Sequence, residues 1–273
     1  MKWSAGGTLF LLGVLAVAGC APGEEAASGG ETEAAPTTMA PENRIIALLE
    51  AGEPVFGMFA PAQSAEGGVA AAATRETDFI FYSLESGPWD LPTMATFVAS
   101  MTEASAGADP HPVILRIPPI RDDRDLASIH LAEGLAAGVD GLVLPHVESV
   151  DDVALAAEVA GDRLWPGNPG GDVLNVILIE DQIGIERARE IVSASGVGVA
   201  IPGPGDLRRA YEGDMEAVEG AIQTVLAACA EFDVPCGITA GVDDIARRLE
   251  EGFMMIIVTQ PEALAVGLAA AGR

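Results

Sequence analysis

From about residue 53 to the C-terminus the chain alternates between short apolar runs and longer amphipathic stretches. The runs are "EPVFGMFA", "DFIFYSLE", "PVILRIPP", "GLVLPHVE", "VLNVILIE", "GVAIPGPG", "PCGITAG" and "FMMIIVTQ". Each follows a helical segment and closes on a polar or glycine-rich turn before the next helix. The amphipathic pattern is clearest over residues 215–233, where Val218, Ile222, Val225, Leu226 and Cys229 share one face at helical spacing. Continuously apolar strands alternating with helices predict a parallel sheet covered by helices on its outer side. Eight of them predict the α/β class and a single (β/α)8 TIM barrel. No second domain and no true repeat breaks this rhythm. A doubly wound sheet gains little support, because no GxGxxG turn follows the first run.

Residues 1–41 read differently. Lys2, the apolar stretch Thr8–Ala18 and "VAGC" ending at Cys20 have the charged, hydrophobic and small-residue regions of a signal peptide. The apolar stretch is too short to span a bilayer as a permanent helix. "VAGC" resembles a bacterial lipobox, which implies cleavage before Cys20 and a lipid on its sulfur. Ala21 after the cysteine favours the outer membrane under the usual sorting rule. From Cys20 to Pro41 the composition falls to Ala, Glu, Gly, Ser, Thr and Pro without apolar periodicity, the signature of a flexible acidic tether. The expected organisation is a lipoprotein signal peptide over 1–19, a tether over 20–41 and the barrel over 42–273. The expected location is the bacterial cell envelope, periplasm-facing, with the membrane reached through the lipid anchor only.

The chain of 273 residues is 49% hydrophobic with a mean hydropathy of +0.33, enough to bury one large core. Its 41 acidic against 14 basic residues give a net charge of −27, which argues against nucleic acid or anionic lipid as a partner surface. Only 5% of residues are aromatic, so there is no stacking platform for bases or sugars.

In a (β/α)8 barrel the chemistry sits at the carboxyl ends of the strands. The last polar residues of the runs are Glu85, Arg116, His146, Glu180, Asp206, Thr239 and Gln260. Glu180 and Asp206 close the fifth and sixth runs. Neighbouring strands lie about 5 Å apart, so both carboxylates can meet at one hard divalent cation. Equally, paired acids at strand ends can be helix caps. Amides around Gly203 and Gly205, ahead of a helix expected near Leu207, can hold a substrate carboxylate. Arg116 can add a charge-assisted hydrogen bond to a carbonyl or carboxylate oxygen. Cation, arginine and helix end together suit a 2-oxo acid or its enolate.

"DFIFYSLESGPWDL", "HPVILRIPP", "GVDGLVLPHVES", "VILIEDQIGIERAREI" and "GVGVAIPGPGDL" resemble the ordered blocks of the HpcH/HpaI aldolase/citrate lyase family over about residues 43–270. The resemblance implies metal-dependent enzymes that cleave or form carbon–carbon bonds through a pyruvate-type enolate. It implies Mg2+ or Mn2+, or Co2+, on Glu180 and Asp206, Arg116 on the keto oxygen, and Glu85 beside metal-bound water. Relatives form homo-oligomers through outer helices, which the apolar "PEALAVGLAAAG" end permits.

The departures from the family pattern fall on its proton-moving half. Where the aldolases carry an acid, Gly, Glu and a catalytic His after the second strand, this chain reads "SLES", with Ser83 and Ser86 in place of the acid and the His. The acidic partner of that His falls at Ala136, a frequent Gln at Leu178, and an Arg-containing loop is shortened to "LWPGNPGGD". His146 is the best remaining base candidate on the expected face; His111, at a strand start, and His130, mid-helix, lie away from it. Alternatively a substrate carboxylate or metal-bound water serves, since citrate lyase-like members of the family lack the same His, which makes acyl-lyase chemistry as open as aldol cleavage. Trp165 in the short loop either walls the pocket or plugs a barrel end. Cys229 and Cys236 are either bridged or two buried thiols. The alternative to a lyase is a lipid-anchored barrel that binds metal and 2-oxo acids without turning them over.

Overall fold

The computed structural model describes residues 43–273. The expected signal peptide, the expected lipidation site at Cys20 and the expected tether lie outside the described residues. Among those described, no helix is long and apolar enough to cross a membrane.

All eight apolar runs form strands, and every pairing is parallel: β1 (Val55–Phe59), β2 (Phe79–Ser83), β3 (Val113–Arg116), β4 (Gly141–Leu144), β6 (Val173–Ile179), β7 (Val199–Pro202), β8 (Gly237–Ala240) and β9 (Met255–Val258). A two-residue strand, β5 (Leu164–Trp165), adds to the start of β6. The ladder runs β8-β9-β1-β2-β3-β4-β6-β7. Its two ends meet through one bridge, Ala200 to Cys236, with the Ala200 amide donating to the Pro235 carbonyl at 3.1 Å. The result is an α/β fold with a curled parallel sheet, consistent with the expected TIM-like barrel.

Alternation along the strands sorts the apolar residues into two cores. Val55, Phe79, Ile114, Val143, Val176, Val199 and Ile257 turn inward and pack on one another, while Phe56, Ile80, Leu115, Leu142, Ile177 and Ile256 turn outward beneath the helices. Space inside is tight. A Cβ on Gly57 would come within 2.1 Å of the Phe79 ring, so glycine there is what lets the ring lie across the interior.

Two features close the N-terminal end of the sheet. The helix α1 (Arg44–Glu50) lays Ile45, Ile46 and Leu49 on the inner core, and Asn43 fixes it by donating to the carbonyls of Asp140 (2.7 Å) and Asp172 (3.0 Å). Trp165 is buried against the same residues and donates from Nε1 to Glu50 at 3.0 Å. Of its two expected placements, Trp165 takes the plug. The cysteines are bridged, Cys229 to Cys236, tying the helix Met215–Phe232 to the entrance of β8 beside the closing bridge.

Many acidic residues have local work. Asp90, Asp123, Asp181 and Asp214 each cap a helix that follows a strand or turn, accepting from backbone amides of its first turn. Asp78, fully buried at the start of β2, accepts from the Phe56 amide and is ion-paired with Arg44 (2.9 Å) and Arg273 (2.7 Å). It joins both ends of the described chain to the sheet. Asp78→Ala leaves a buried amide and two arginines without their acceptor, and should cost about 3 kcal/mol; urea unfolding of the variant against the parent measures it, and a change below about 1 kcal/mol would show the latch to be idle.

Candidate active site

The carboxyl ends of β2, β3, β4 and β6 bring Glu85, Arg116, His146 and Glu180 together. One ligand atom from each of Glu85, His146 and Glu180 lies within 4.8 Å of the other two.

Glu180 follows the last residue of β6 and is almost wholly buried. The β6–β7 register pairs Ile179 with Pro202, so Gly203 stands beside Glu180 as the strands end. A Cβ on Gly203 would sit 2.3 Å from the Glu180 Oε2. Gly203 is therefore required for space, since its φ of −80° is open to any residue. Burial raises the Glu180 carboxyl to about 7; nearby His146 opposes the rise, Asp206 and Glu85 add to it, and Arg116 opposes it.

His146 has a positive φ of 54°, an uncommon conformation outside glycine. The twist points its backbone N–H at Glu180 Oε1 (3.1 Å) and leaves its ring between two carboxylates, with Nε2 3.7 Å from Glu180 Oε1 and Nδ1 3.6 Å from Asp181 Oδ2. Both separations exceed a hydrogen bond, and Nδ1 is buried without a partner. Burial works against the charged ring, yet the facing Asp181 and Glu180 outweigh it and raise the His146 pKa.

Arg116 is held on three sides. Its Nε donates to Ser83 Oγ (2.9 Å), its Nη2 pairs with Glu85 Oε2 (2.9 Å), and its guanidinium lies 5.3 Å from the centroid of the Phe81 ring. The other Glu85 oxygen, Oε1, is buried and unpartnered. Ser83, which replaces the acid of the family pattern, thus holds the arginine, whereas Ser86 is exposed.

The helix of the "GPGD" turn begins earlier than expected. It spans Pro204–Ala210 with Gly203 as its cap, because proline suits the first helical position. Asp206 accordingly lies in its first turn and is ion-paired with Arg209. It stands outside the three-residue cluster but close enough to act on the charges of Glu180 and His146. Gly205 sits in the same turn with open space around it. Of the expected metal pair, then, the described structure places Glu180 with Glu85 and His146, and Asp206 with Arg209. The expected helix start near Leu207 is corrected to Pro204.

Two contributors escaped the reading of strand ends. Asp181 faces His146 while its other oxygen caps the next helix through the Gly184 amide (2.8 Å). Arg121, from the turn after β3, reaches Asp181 (3.2 Å) and Glu148 (3.5 Å) and ties three loops together at this end. The signal for Asp181 was its place directly after Glu180, at a helix start; Arg121 in "PPIRDD" carried none.

A family model for HpcH/HpaI aldolase/citrate lyase matches residues 55–259. The chain belongs to the HpcH/HpaI aldolase/citrate lyase family. No curated protein matches it in sequence. Among solved structures, an HpcH/HpaI aldolase/citrate lyase family protein from Burkholderia cenocepacia J2315 is 22% identical, with a TM-score of 0.68 over 84% of this chain and 97% of that one. The citrate synthase SbnG is 18% identical, with a TM-score of 0.66 over 84% and 96%. The citrate lyase β subunit of M. tuberculosis, complexed with oxaloacetate and magnesium, is 20% identical, with a TM-score of 0.57 over 81% and 98%. At these identities the likeness shows the shared fold.

The two carboxylates of the cluster fit a hard divalent cation, one Glu85 oxygen being buried and unpartnered, with the His146 ring beside them. Gly203→Ala should force Glu180 aside and weaken Mn2+ binding at least tenfold without changing the far-ultraviolet circular dichroism, as measured by electron paramagnetic resonance titration; unaltered affinity would show that Glu180 is no ligand. The raised Glu180 pKa also has a sign. Between pH 4.5 and about 7 the folded protein holds a proton that the unfolded chain has lost, so this group lowers the stability of the metal-free protein as pH rises through that window. Because a cation needs the ionised carboxylate, the thermal shift produced by Mn2+ should be larger at pH 8 than at pH 5.5; an equal shift at both would remove Glu180 from the site.

Proposed function

We propose that this chain is a divalent-metal-dependent carbon–carbon lyase, of aldolase type, acting on a small 2-oxo or hydroxy acid through its enolate. The observation that carries the reading is the convergence of Glu85, His146 and Glu180 beside Arg116, at the carboxyl end of the (β/α)8 barrel of this family. A relative of the same fold is complexed with oxaloacetate and magnesium.

Glu180, with Asp206 once released from Arg209, is the ligand pair for Mg2+ or Mn2+, with Co2+ as a substitute; Glu85 and His146 adjoin the same point. Bound there, the cation supplies Lewis acidity at the keto oxygen. Arg116, fixed by Ser83 and Glu85, donates to the same oxygen and stabilises its negative charge as the enolate forms. Amides around Gly203 and Gly205 orient the carboxylate. In the cleavage direction His146 accepts the proton of the 4-hydroxyl as the C3–C4 bond breaks, an aldehyde leaves, and the enolate is protonated at C3. Asp181 orients the ring for this and stabilises its charged form, so His146 fills the role that Ser86 cannot.

The same reading places the chain on a lipid anchor at Cys20, facing the periplasm at the outer membrane, with homo-oligomers among its states. The Cys229–Cys236 bridge supports an oxidising compartment. A second reading, a barrel that binds metal and 2-oxo acids without turnover, is favoured by the exposed Ser86 at the position of the family's base.

Exchange of the pyruvate methyl protons in deuterated water with Mn2+, followed by NMR, separates the two. The lyase reading expects exchange, lowered by about two orders of magnitude in His146→Gln while oxalate still binds. Oxalate binding with no exchange in the parent protein selects the receptor, and exchange untouched in His146→Gln removes the histidine from proton transfer.

A further inference from the structure

The barrel closes at its weakest joint. Elsewhere in the ladder neighbouring strands share three or four paired positions, whereas β7 and β8 meet at the single bridge between Ala200 and Cys236. The Ala200 amide, donating to the Pro235 carbonyl at 3.1 Å, supplies the backbone hydrogen bond that crosses there. Cys236 is the node of this joint. It makes the bridge to β7, its carbonyl accepts from the amides of Met254 (2.7 Å) and Met255 (3.2 Å) at the start of β9, and its sulfur is bonded to Cys229. Cys229 belongs to the helix Met215–Phe232, which packs against β7. The disulfide therefore runs from an element held on β7 to the residue ahead of β8, across the seam.

The segment between the two cysteines has little else to hold it. Asp233 ends the helix in the left-handed region, with a φ of 55° that is uncommon outside glycine. Asp233, Val234 and Pro235 line two cavities, one of about 630 Å³ and one of about 390 Å³, so packing against this segment is incomplete. Both cysteines are only 2% exposed, which bars a protein surface from the sulfurs. The larger cavity has both of them in its wall, however, and its rim includes the exposed residues Gly52, Asp233 and Gly252. A small thiol has a route where a large one has none.

We propose that the Cys229–Cys236 bond is a redox-sensitive latch on the β7–β8 seam, and that its reduction by a small dithiol lets the barrel open at this one joint. A thiolate of the reductant attacks one cysteine sulfur, the S–S bond breaks, and the other cysteine leaves as a thiolate that takes up a proton. The second thiolate of the reductant then displaces the first cysteine, so the dithiol ends as a cyclic disulfide and the protein, having gained two electrons and two protons, holds two thiols. The seam is left with the Ala200–Cys236 bridge, while β7 keeps four paired positions with β6 and β8 keeps four with β9. Opening is thereby confined to the space between β7 and β8. Ile201 packs there so closely that a Cβ on Gly237 would come within 2.8 Å of it, so parting the strands brings water to the apolar interior. Closure of the barrel is in this way tied to an oxidising compartment.

The test follows amide exchange by NMR in the full chain before and after treatment with dithiothreitol, with thiols counted by a colorimetric disulfide reagent. Two further thiols should appear without denaturant. Exchange of the Ala200 amide should quicken by about tenfold or more, while the Ile80 and Leu84 amides of the β2–β3 joint keep their rates. The double substitution Cys229→Ser and Cys236→Ser should give the fast Ala200 exchange without reductant, and the reduced parent protein gives the same reading if that variant does not fold. Thiols that appear only in denaturant would show that the cavity offers no route. Unchanged Ala200 exchange after reduction, or equal quickening at Ile80 and Leu84, would show a general brace in place of a latch. Each of these results overturns the proposal.

Discussion

The structure turns on one close contact, the Glu180 carboxylate pressed against the backbone of Gly203, where no side chain fits. The β6–β7 register creates it by ending the two strands side by side. The composition of the following turn has a reason at each step: glycine for the carboxylate, proline to begin the helix, and an acid in the first turn where the helix dipole favours it. The contact also sets the energetics. A carboxylate at this depth is costly to ionise; His146 and Arg116 offset part of that cost, and Arg116 is already committed to Glu85 and Ser83. Glu180 thus lies among the charges of Asp206 and Glu85 with a partial offset from His146 and Arg116, a setting that suits a divalent cation.

The sheet was legible in the sequence because its strands are buried on both faces, which turns each into an unbroken apolar run. The elements that escaped notice lack such a run. The helix α1 has three core-facing residues in seven, and β5 is two residues long. At the site, the residue types were legible and their partners were not. Strand order placed Glu180 next to the "GPGD" turn, but pairing put Gly203 beside it, and the three residues on to Asp206 are most of a helical turn, enough to swing that carboxylate toward Arg209. His146 joined the cluster through a left-handed backbone conformation, a property of one residue that no periodicity reports. Asp181 was hidden by its neighbour, since adjacent residues at a strand end normally face opposite ways; the helix start immediately after β6 bends the chain so that both acids reach His146.

Departures from the family pattern form a connected set. With serine in place of an acid at the end of β2, the arginine of β3 gains a neutral hydrogen-bond acceptor and keeps its charge paired only with Glu85. Loss of the base from that loop leaves Ser86 exposed and the β2 side without an imidazole. The imidazole at the end of β4 adjoins Glu85 and Glu180, with a carboxylate facing each ring nitrogen. Acid–base capacity in this chain therefore belongs to the β4–β6 side of the mouth, while the β2–β3 side retains anion stabilisation.

That separation restricts how a substrate can lie. On the proposed reading the carboxylate and keto group of the substrate engage Arg116 and the turn at Gly203, and the acids around His146 repel any further anionic group on the β4–β6 side. The ring of Phe59 at the end of β1 meets Phe81, which carries the Arg116 guanidinium, so the mouth beside the arginine is aromatic. On the proposed lyase reading, anion stabilisation comes from the β2–β3 side of the mouth and proton transfer from the β4–β6 side, so the asymmetry of the mouth fixes which way round a substrate can react.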